Sequence, residues 1–136
     1  MKIVICGSMR LSKKMLEIKE ELIKLGHFVI VPRHTEEYAA LDTPDDIHNE
    51  SVKNKINHDL IRQHFNEIEK NDAILIVNYT LKDVPNYIGG NSFLEMGFAH
   101  VLNKKIYLLN YVPEMSYSDE IIAMQPMILN GDMTKI

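Results

Sequence analysis

Apolar residues follow two patterns along this chain, and the two patterns alternate. Short runs in which nearly every residue is apolar predict strands over Lys2–Cys6, Phe28–Val31, Ala73–Asn78, Lys105–Leu109 and Met127–Leu129. Longer stretches with apolar residues three or four positions apart predict helices over Ser12–Leu25, Ser51–Lys70, Ser92–Leu102 and Ser118–Met124. The acidic segment from Arg33 to Glu50 interrupts this alternation, and we predict a loop there that has room for one short helix.

The predicted strands show no alternation of apolar and polar residues, which is typical of strands that are buried on both faces. Strands of this kind with helices between them predict an α/β fold: a Rossmann-like (flavodoxin-like) parallel sheet of about five strands, wound on both sides. We expect residues 1–136 to form a single domain. Ligands bind such sheets at the carboxyl ends of the strands, so the segments that follow the strands are the candidates for function.

Composition and charge narrow the class of protein. Apolar residues make up 46% of the chain, charged residues make up 25%, and the formal net charge is −4. This balance predicts a globular protein and disfavours a nucleic-acid polymer as partner. No apolar run is long enough for a signal peptide or a membrane span, so we expect a cytoplasmic protein with no membrane partner.

The single cysteine and the six histidines argue against a metal centre. Cys6 lies in a predicted strand, which indicates a buried and inert thiol. The histidines form no HExxH motif, and their spacing indicates no cluster with the thiol. We therefore expect neither a metal nor another cofactor.

The turn after the first predicted strand, Gly7-Ser8-Met9-Arg10, has two interpretations. Backbone N–H groups at the start of a helix attract anions, and the Ser8 hydroxyl and the Arg10 guanidinium add donors for a phosphate or a carboxylate. The alternative is an ordinary turn between a strand and a helix, in which Ser12 is the N-cap. Both interpretations fit the residues.

The segment Gly89-Gly90-Asn91-Ser92, followed by Glu95, also has two interpretations. Ser92 and Glu95 have the S-x-x-E spacing of a capping box, in which the glutamate side chain bonds to the backbone N–H of the N-cap residue. The functional interpretation is a nucleophile or a ribose-binding carboxylate above a cleft lined by glycines. Apolar neighbours would keep such a carboxylate partly dry and therefore more nucleophilic.

Three further residues are weaker candidates. His64 belongs to the apolar stripe of its predicted helix, which is typical of a core histidine, and the sharper hypothesis is an imidazole that faces the cleft and moves a proton. Asn78 and Tyr87 lie at the two ends of a long loop, where an amide and an aromatic ring suit hydroxyl groups and a planar base. Asparagine is also an ordinary turn residue.

Three segments together resemble a known family. They are CGSMR near the start, a helix ending in ND before AILIVN, and GGNSFLEMGFAHVLNKK. This combination resembles the nucleoside 2-deoxyribosyltransferases and their relatives, the 2′-deoxynucleoside 5′-phosphate N-hydrolases. The resemblance extends from Lys2 to about Asn110, and its most specific part is the glycine turn followed by the helix that contains Glu95.

The resemblance implies an enzyme that cleaves or transfers at the N-glycosidic bond of a nucleoside, a deoxynucleoside or its 5′-monophosphate. It implies that Glu95 attacks the anomeric carbon, and we expect His64 or a water molecule to assist departure of the base. A homodimer or a larger homo-oligomer is also implied. The residues expected to bind the substrate, with the first three at the 5′-phosphate, are Gly7, Ser8, Arg10, Asn78, Tyr87, Gly89, Gly90, Asn91 and Ser92.

The chain departs from the family pattern at two positions. Where the family has an aspartate, eight residues before Asp72, this chain has His64. Where the phosphate-binding branch has a serine that reaches a neighbouring subunit, this chain has Ile122. Gln125, Asn130 and Asp132 are the alternatives for that role.

These departures keep two other functions open. The first is a non-catalytic module that senses nucleotides. The second is a phosphoribohydrolase of nucleoside monophosphates, since GG-x-S-x-x-E is similar to the PGGxGTxxE motif of those enzymes. This chain lacks the proline and the third glycine of that motif.

Overall fold

The structure of the chain, a computed structural model, describes residues 1–41 and 59–136. The strands are β1 (Lys2–Cys6), β2 (Phe28–Ile30), β3 (Ala73–Ile76), β4 (Lys105–Leu108) and β5 (Met127–Ile128). The helices are α1 (Ser12–Lys24), α2 (Thr35–Ala39), α3 (Leu60–Lys70), α4 (Gly90–Val101) and α5 (Ser118–Ala123). Two 3₁₀ helices span Met9–Leu11 and Met133–Lys135.

The five strands form one sheet in the order β2-β1-β3-β4-β5, and each neighbouring pair is parallel. This confirms the predicted fold class, a Rossmann-like parallel sheet with helices on both sides. The chain moves outward from β1 to β2 and then returns to the other side of β1 to form β3. The order therefore reverses between β1 and β3, and the carboxyl ends of these two strands flank the crevice where such sheets bind ligands.

Alternate residues of the strands point to two separate cores. Ile3 and Ile5 of β1 belong to the core that α1 covers, where Met15 is fully buried. Val4 and Cys6 point to the opposite core, which α3, α4 and α5 cover. Cys6 therefore points toward the helices that carry His64 and Glu95.

Gly26 lies just past the end of α1 and helps to terminate it. Gly26 has a φ of 90°, a value that costs glycine little because it has no Cβ. Its N–H donates to the carbonyl of Ile23 over 2.9 Å, and the N–H of His27 donates to Leu22 over 3.0 Å. These two bonds are the Schellman motif that ends many helices.

The helix predicted over Ser51–Lys70 is wrong in one respect within the described residues. Asp59 has a φ of 47° and a ψ of 49°, in the left-handed region, so a continuous right-handed helix does not pass through it. The described helix begins at Leu60, and residues 51–58 lie outside the described part of the chain. The predicted loop from Arg33 to Glu50 contains α2, and its part beyond Leu41 lies outside the described residues.

No helix in the described part of the chain combines the length and the apolar character that crossing a membrane requires.

Candidate functional site

A cavity of about 350 Å³ opens where the segments after β1, β2 and β3 meet α3 and α4. Its lining includes every residue predicted to act on a substrate except Asn78: Gly7, Ser8, Arg10, His64, Tyr87, Gly89, Gly90, Asn91, Ser92 and Glu95. Residues that are up to 88 positions apart in the sequence, Gly7 and Glu95, thus share one wall. The fold brings the candidates together at the expected edge of the sheet.

The centre of the cavity is an ion pair between Glu95 and His64. The Nδ1 atom of His64 lies 2.6 Å from Oε1 of Glu95, and the two side chains are 12% and 13% exposed. His64 lies one helical turn before the buried Ile68 on α3, and Glu95 precedes the buried Met96 on α4. The pair is therefore mostly buried between two packed helices and still borders the cavity.

The packing of α3 on α4 fixes this pair. Phe65 and Phe98 meet edge to face with their ring centroids 5.1 Å apart, an arrangement that aromatic rings prefer. Each phenylalanine is close in sequence to one member of the ion pair. The aromatic contact therefore sets the separation of the helices at the point where the imidazole meets the carboxylate.

The capping-box interpretation of Ser92 and Glu95 is wrong. Helix α4 begins at Gly90 with Gly89 as N-cap, and no side chain caps it. Ser92 already lies within the first turn and is 3% exposed, so Glu95 is in the second turn and its carboxylate contacts His64 instead. Helix α4 therefore begins two residues earlier than the sequence pattern predicts.

Cys6, at the end of β1, lies close to the same ion pair. Its Sγ atom lies 3.8 Å from Nε2 of His64. The donor atoms of the three residues all lie within 4.8 Å of one another. The expectation that no histidine clusters with the thiol is therefore wrong, because β1 and α3 join residues 58 positions apart.

Burial and charge shift two pKa values at this cluster. Burial is the main cause that raises the pKa of the Cys6 thiol, and the charge of Glu95 and a hydrogen bond to it raise the pKa further. Burial alone would lower the pKa of His64, but the charge of Glu95, its hydrogen bond and the charge of Glu67 outweigh burial and raise it. The imidazolium form of His64 is thus favoured beside the carboxylate.

The order thiol, imidazole, carboxylate matches the geometry of a cysteine nucleophile with a base and an orienting acid. Cys6, however, is 0% exposed and does not line the cavity. A substrate carbon has no path to the sulfur, whereas His64 and Glu95 both line the cavity.

The turn after β1 has the close packing that its glycine predicts, but not the predicted cap. A Cβ on Gly7 would lie 3.3 Å from both the carbonyl oxygen of Val77 and Sδ of Met15, so a larger residue would push on β3 and α1. Ser8 caps the short 3₁₀ helix, and its Oγ accepts from the Arg10 N–H over 3.3 Å. Ser12 is the first residue of α1, so its predicted N-cap role is wrong.

Two basic residues of the cavity wall escaped the sequence analysis: Arg33 and Lys82. Arg33 follows β2 and donates from Nη1 to Oε1 of Gln63 over 3.1 Å. Lys82 lies in a tight turn with positive φ, and its Nζ sits 5.3 Å from the centre of the Tyr87 ring. Together with Arg10, they place three cations around a cavity in a chain of net charge −4. This local excess suits an anionic ligand.

The loop before α4 brings Tyr87 to the cavity and keeps Asn78 away from it. A Cβ on Gly89 would lie 3.2 Å from Cε1 of Tyr87, so the glycine lets the ring lie against the backbone. Asn78 is fully buried. Its Nδ2 donates to the carbonyls of Asn110 and Tyr111 over 3.2 and 3.1 Å, and its Oδ1 accepts from the Asn110 N–H over 2.9 Å. Asn78 thus joins the loops that follow β3 and β4.

Comparisons of the chain with protein-family models, with curated proteins and with solved structures found no match.

Proposed function

We propose that the chain is an enzyme that cleaves or transfers at the N-glycosidic bond of a nucleoside or its 5′-monophosphate. The observation that carries the proposal is the carboxylate of Glu95, which is mostly buried in the cavity wall and lies 2.6 Å from His64. The resemblance to the nucleoside 2-deoxyribosyltransferases assigns the nucleophile to the same residue. The geometry of the cavity and the sequence motif therefore both support Glu95 as the nucleophile.

The reaction is a double displacement at C1′ of the sugar. A carboxylate oxygen of Glu95 forms a bond to C1′ while the bond from C1′ to the base breaks, and the base leaves with the bonding electron pair and gains a proton from His64 or from a water molecule. Water or a second base then attacks C1′ and releases Glu95. The imidazole of His64 orients the Glu95 carboxylate before the attack. Charge on the oxocarbenium-like sugar is stabilised by the same carboxylate.

The basic residues of the cavity favour a substrate that carries a phosphate. Arg10 lies on the turn that the resemblance assigns to the 5′-phosphate, and Arg33 and Lys82 line the same cavity. Charge-assisted hydrogen bonds to a phosphate are stronger than those to a neutral hydroxyl. A nucleoside 5′-monophosphate is therefore the preferred substrate in this proposal, with Tyr87 available to stack on a planar base.

The test is the variant Glu95→Gln incubated beside the wild-type chain with ribonucleosides, deoxynucleosides and their 5′-monophosphates. Free base is followed by chromatography, and nucleotide binding and melting temperature are recorded for both proteins. Glutamine keeps the size and the hydrogen bonding of the side chain but lacks the nucleophilic charge. We expect base release to fall by roughly 10³-fold or more, while nucleotide binding stays close to wild type and the melting temperature falls by no more than in His64→Gln, which breaks the same contact.

The matched control is Glu69→Gln, which removes the same charge from an exposed position on α3. Its rate of base release should equal that of the wild type. The proposal fails if the wild type releases no base from any substrate of the panel, or if Glu95→Gln keeps the wild-type rate.

One observation favours a second function, a module that binds nucleotides without turning them over. The short contact between His64 and Glu95 occupies one oxygen of the carboxylate, where the resembling family has an aspartate in place of the histidine. A nucleotide that raises the melting temperature of the wild type but yields no free base would favour this sensing function over the enzyme.

We also propose a homo-oligomer, as the resemblance implies. An apolar groove between α3 and α4 supports this proposal, and it is lined by Phe65, Phe93, Leu94, Gly97, Phe98, Val101, Leu102 and Met124. Val101 is 78% exposed, and Leu94 and Phe98 line both this groove and the cavity. A second copy of the chain in the groove would therefore also close the edge of the cavity.

A further inference from the structure

We infer that Cys6, His64 and Glu95 form a binding site for a divalent transition metal ion of the zinc class. This inference does not depend on the proposed function, since it concerns the three donor atoms alone. They come from three different elements, β1, α3 and α4, and converge beneath the cavity. Within residues 1–41 and 59–136, no other group of three such side chains is as close.

The spacing of the donor atoms suits a small ion. All three lie within 4.8 Å of one another. Zinc bonds of about 2.0–2.3 Å in tetrahedral geometry separate neighbouring ligand atoms by roughly 3.3–3.8 Å. The observed separation of 3.8 Å between Cys6 Sγ and His64 Nε2 already falls in this range. To complete the set, Glu95 has to leave its 2.6 Å contact with Nδ1 of His64 and turn toward the ion.

The chemistry of the donors selects the class of ion. A thiolate, an imidazole and a carboxylate together are the ligands that zinc and cobalt accept, whereas magnesium and calcium require oxygen ligands. Binding releases the thiol proton of Cys6 and one proton of the His64 imidazolium to solvent, so each ligand supplies a free electron pair. The charges of the thiolate and of Glu95 together balance the two positive charges of the ion.

Access to the site comes from the cavity. Cys6 is fully buried, but His64 and Glu95 are both part of the cavity wall. An ion held by the three side chains would keep its remaining position toward the cavity, where water can fill it. The bound ion would also take the free electron pairs of Glu95, so metal binding and attack on a sugar would exclude each other.

The experiment uses the full chain, treated with a chelator and then titrated with Co²⁺ and Zn²⁺ without any nucleotide. Cobalt bound to a thiolate shows a charge-transfer band in the near ultraviolet. We expect this band in the wild type at one ion per chain, and its loss when Zn²⁺ displaces Co²⁺. We expect Cys6→Ser to abolish the band and to weaken zinc affinity by at least about 100-fold, and Glu95→Gln to weaken it by about 10–100-fold.

Two control variants test whether other histidines bind the metal ion. His27 lies 3.3 Å from the N-terminal amine, a second possible pair of nitrogen donors, and His100 is exposed at the end of α4. His27→Gln and His100→Gln should both bind zinc like the wild type. Melting curves of each metal-free variant separate loss of a ligand from loss of the fold.

Three results would overturn the inference. They are a wild type without the thiolate band, a folded Cys6→Ser that binds zinc as tightly as the wild type, and a loss of zinc affinity in either control variant. If Cys6→Ser does not fold, the wild-type band and Glu95→Gln decide the question. A chain that shows the band with Co²⁺, and whose metal-free form releases no base from nucleotides, would refute the proposed enzyme and leave the metal site standing.

Discussion

His64 couples the stability of the fold to pH through its contact with Glu95. Its pKa in the folded chain is raised above the unfolded value of about 6.5. The stabilisation from the charged imidazole is therefore complete below that unfolded value and is lost as the pH rises through the folded pKa. The gap in melting temperature between the wild type and His64→Gln should be largest near pH 6 and should narrow at higher pH.

The measurement is thermal unfolding of the two proteins between about pH 6 and pH 9, with a chelator present so that no metal contributes. His100→Gln serves as the matched control, because it removes an exposed imidazole at the end of α4. The difference in melting temperature between His100→Gln and the wild type should not depend on pH in the same way. A gap for His64→Gln that stays constant or widens with pH would contradict the ion pair as the source of stability.

Arg10 should separate nucleotides from nucleosides as substrates of the proposed reaction. A hydrogen bond to a charged group contributes about 1.5–3 kcal/mol, so its loss corresponds to roughly 10–100-fold in affinity. We expect Arg10→Gln to raise KM for a 5′-monophosphate by that factor and to leave kcat/KM for the free nucleoside unchanged. Steady-state kinetics on matched pairs of substrates measure both quantities.

The control for Arg10 is Arg62→Gln, at a guanidinium on α3 that is 77% exposed and paired with Asp59. This variant makes the same change of charge outside the cavity, and KM should stay at the wild-type value. Equal loss of activity toward nucleotide and nucleoside in Arg10→Gln would assign Arg10 to the structure of the turn and not to the phosphate.

At the scale of the elements, Asn78 ties β3 to β4 beyond the ends of the two strands. Removal of its side chain leaves partly buried carbonyls and an N–H without these partners, and each such group costs up to about 1–3 kcal/mol. We expect Asn78→Ala to lower the free energy of unfolding by about 2–4 kcal/mol. Denaturant unfolding followed by circular dichroism measures this change.

Asn110→Ala is the comparison for Asn78. Among the described hydrogen bonds, the Asn110 side chain donates one, from Nδ2 to the Asn78 carbonyl over 3.1 Å. Asn110→Ala should therefore lower the free energy of unfolding clearly less than Asn78→Ala does. Equal losses in the two variants would show that the bonds of the Asn78 side chain do not hold the loops together.

Strand β3 shows what a local sequence pattern can predict and what it cannot. β3 was predicted because four consecutive buried residues, Ala73–Ile76, leave a local apolar run. The strand ends before Asn78, because that side chain turns to bond the neighbouring loop. Such a bond depends on a segment 32 residues away, and a local pattern carries no information about it. The early start of α4 and the break at Asp59 were missed for a related reason, since both depend on backbone angles that several residue types tolerate.

At the scale of the whole molecule, the cavity was predicted in position but not in its chemistry. The position follows from the parallel sheet, whose strand ends collect the segments after β1, β2 and β3. The sequence also named Glu95 and His64 as candidates. It did not reveal that Cys6 contacts them, or that Arg33 and Lys82 share their cavity. These contacts arise only when distant elements pack together.

The apolar groove beside α4 leads to a prediction about the oligomeric state of the chain. Val101 is 78% exposed at the end of α4 and lines a groove whose other walls include Phe65 and Phe98. A carboxylate buried there against a second copy would lose its hydration without gaining a partner, which costs several kcal/mol. We expect Val101→Glu to shift the chain from oligomer to monomer in sedimentation without lowering the melting temperature of the monomer.

His100→Glu is the matched control for Val101, because it adds the same charge at an exposed neighbouring position outside the groove. It should sediment like the wild type. A wild type that sediments as a monomer at every concentration, or a Val101→Glu variant with the wild-type mass, would show that the groove does not bind a second copy. Leu94 and Phe98 belong to both the groove and the cavity. Loss of the oligomer should therefore open the cavity and weaken nucleotide binding in the same variant.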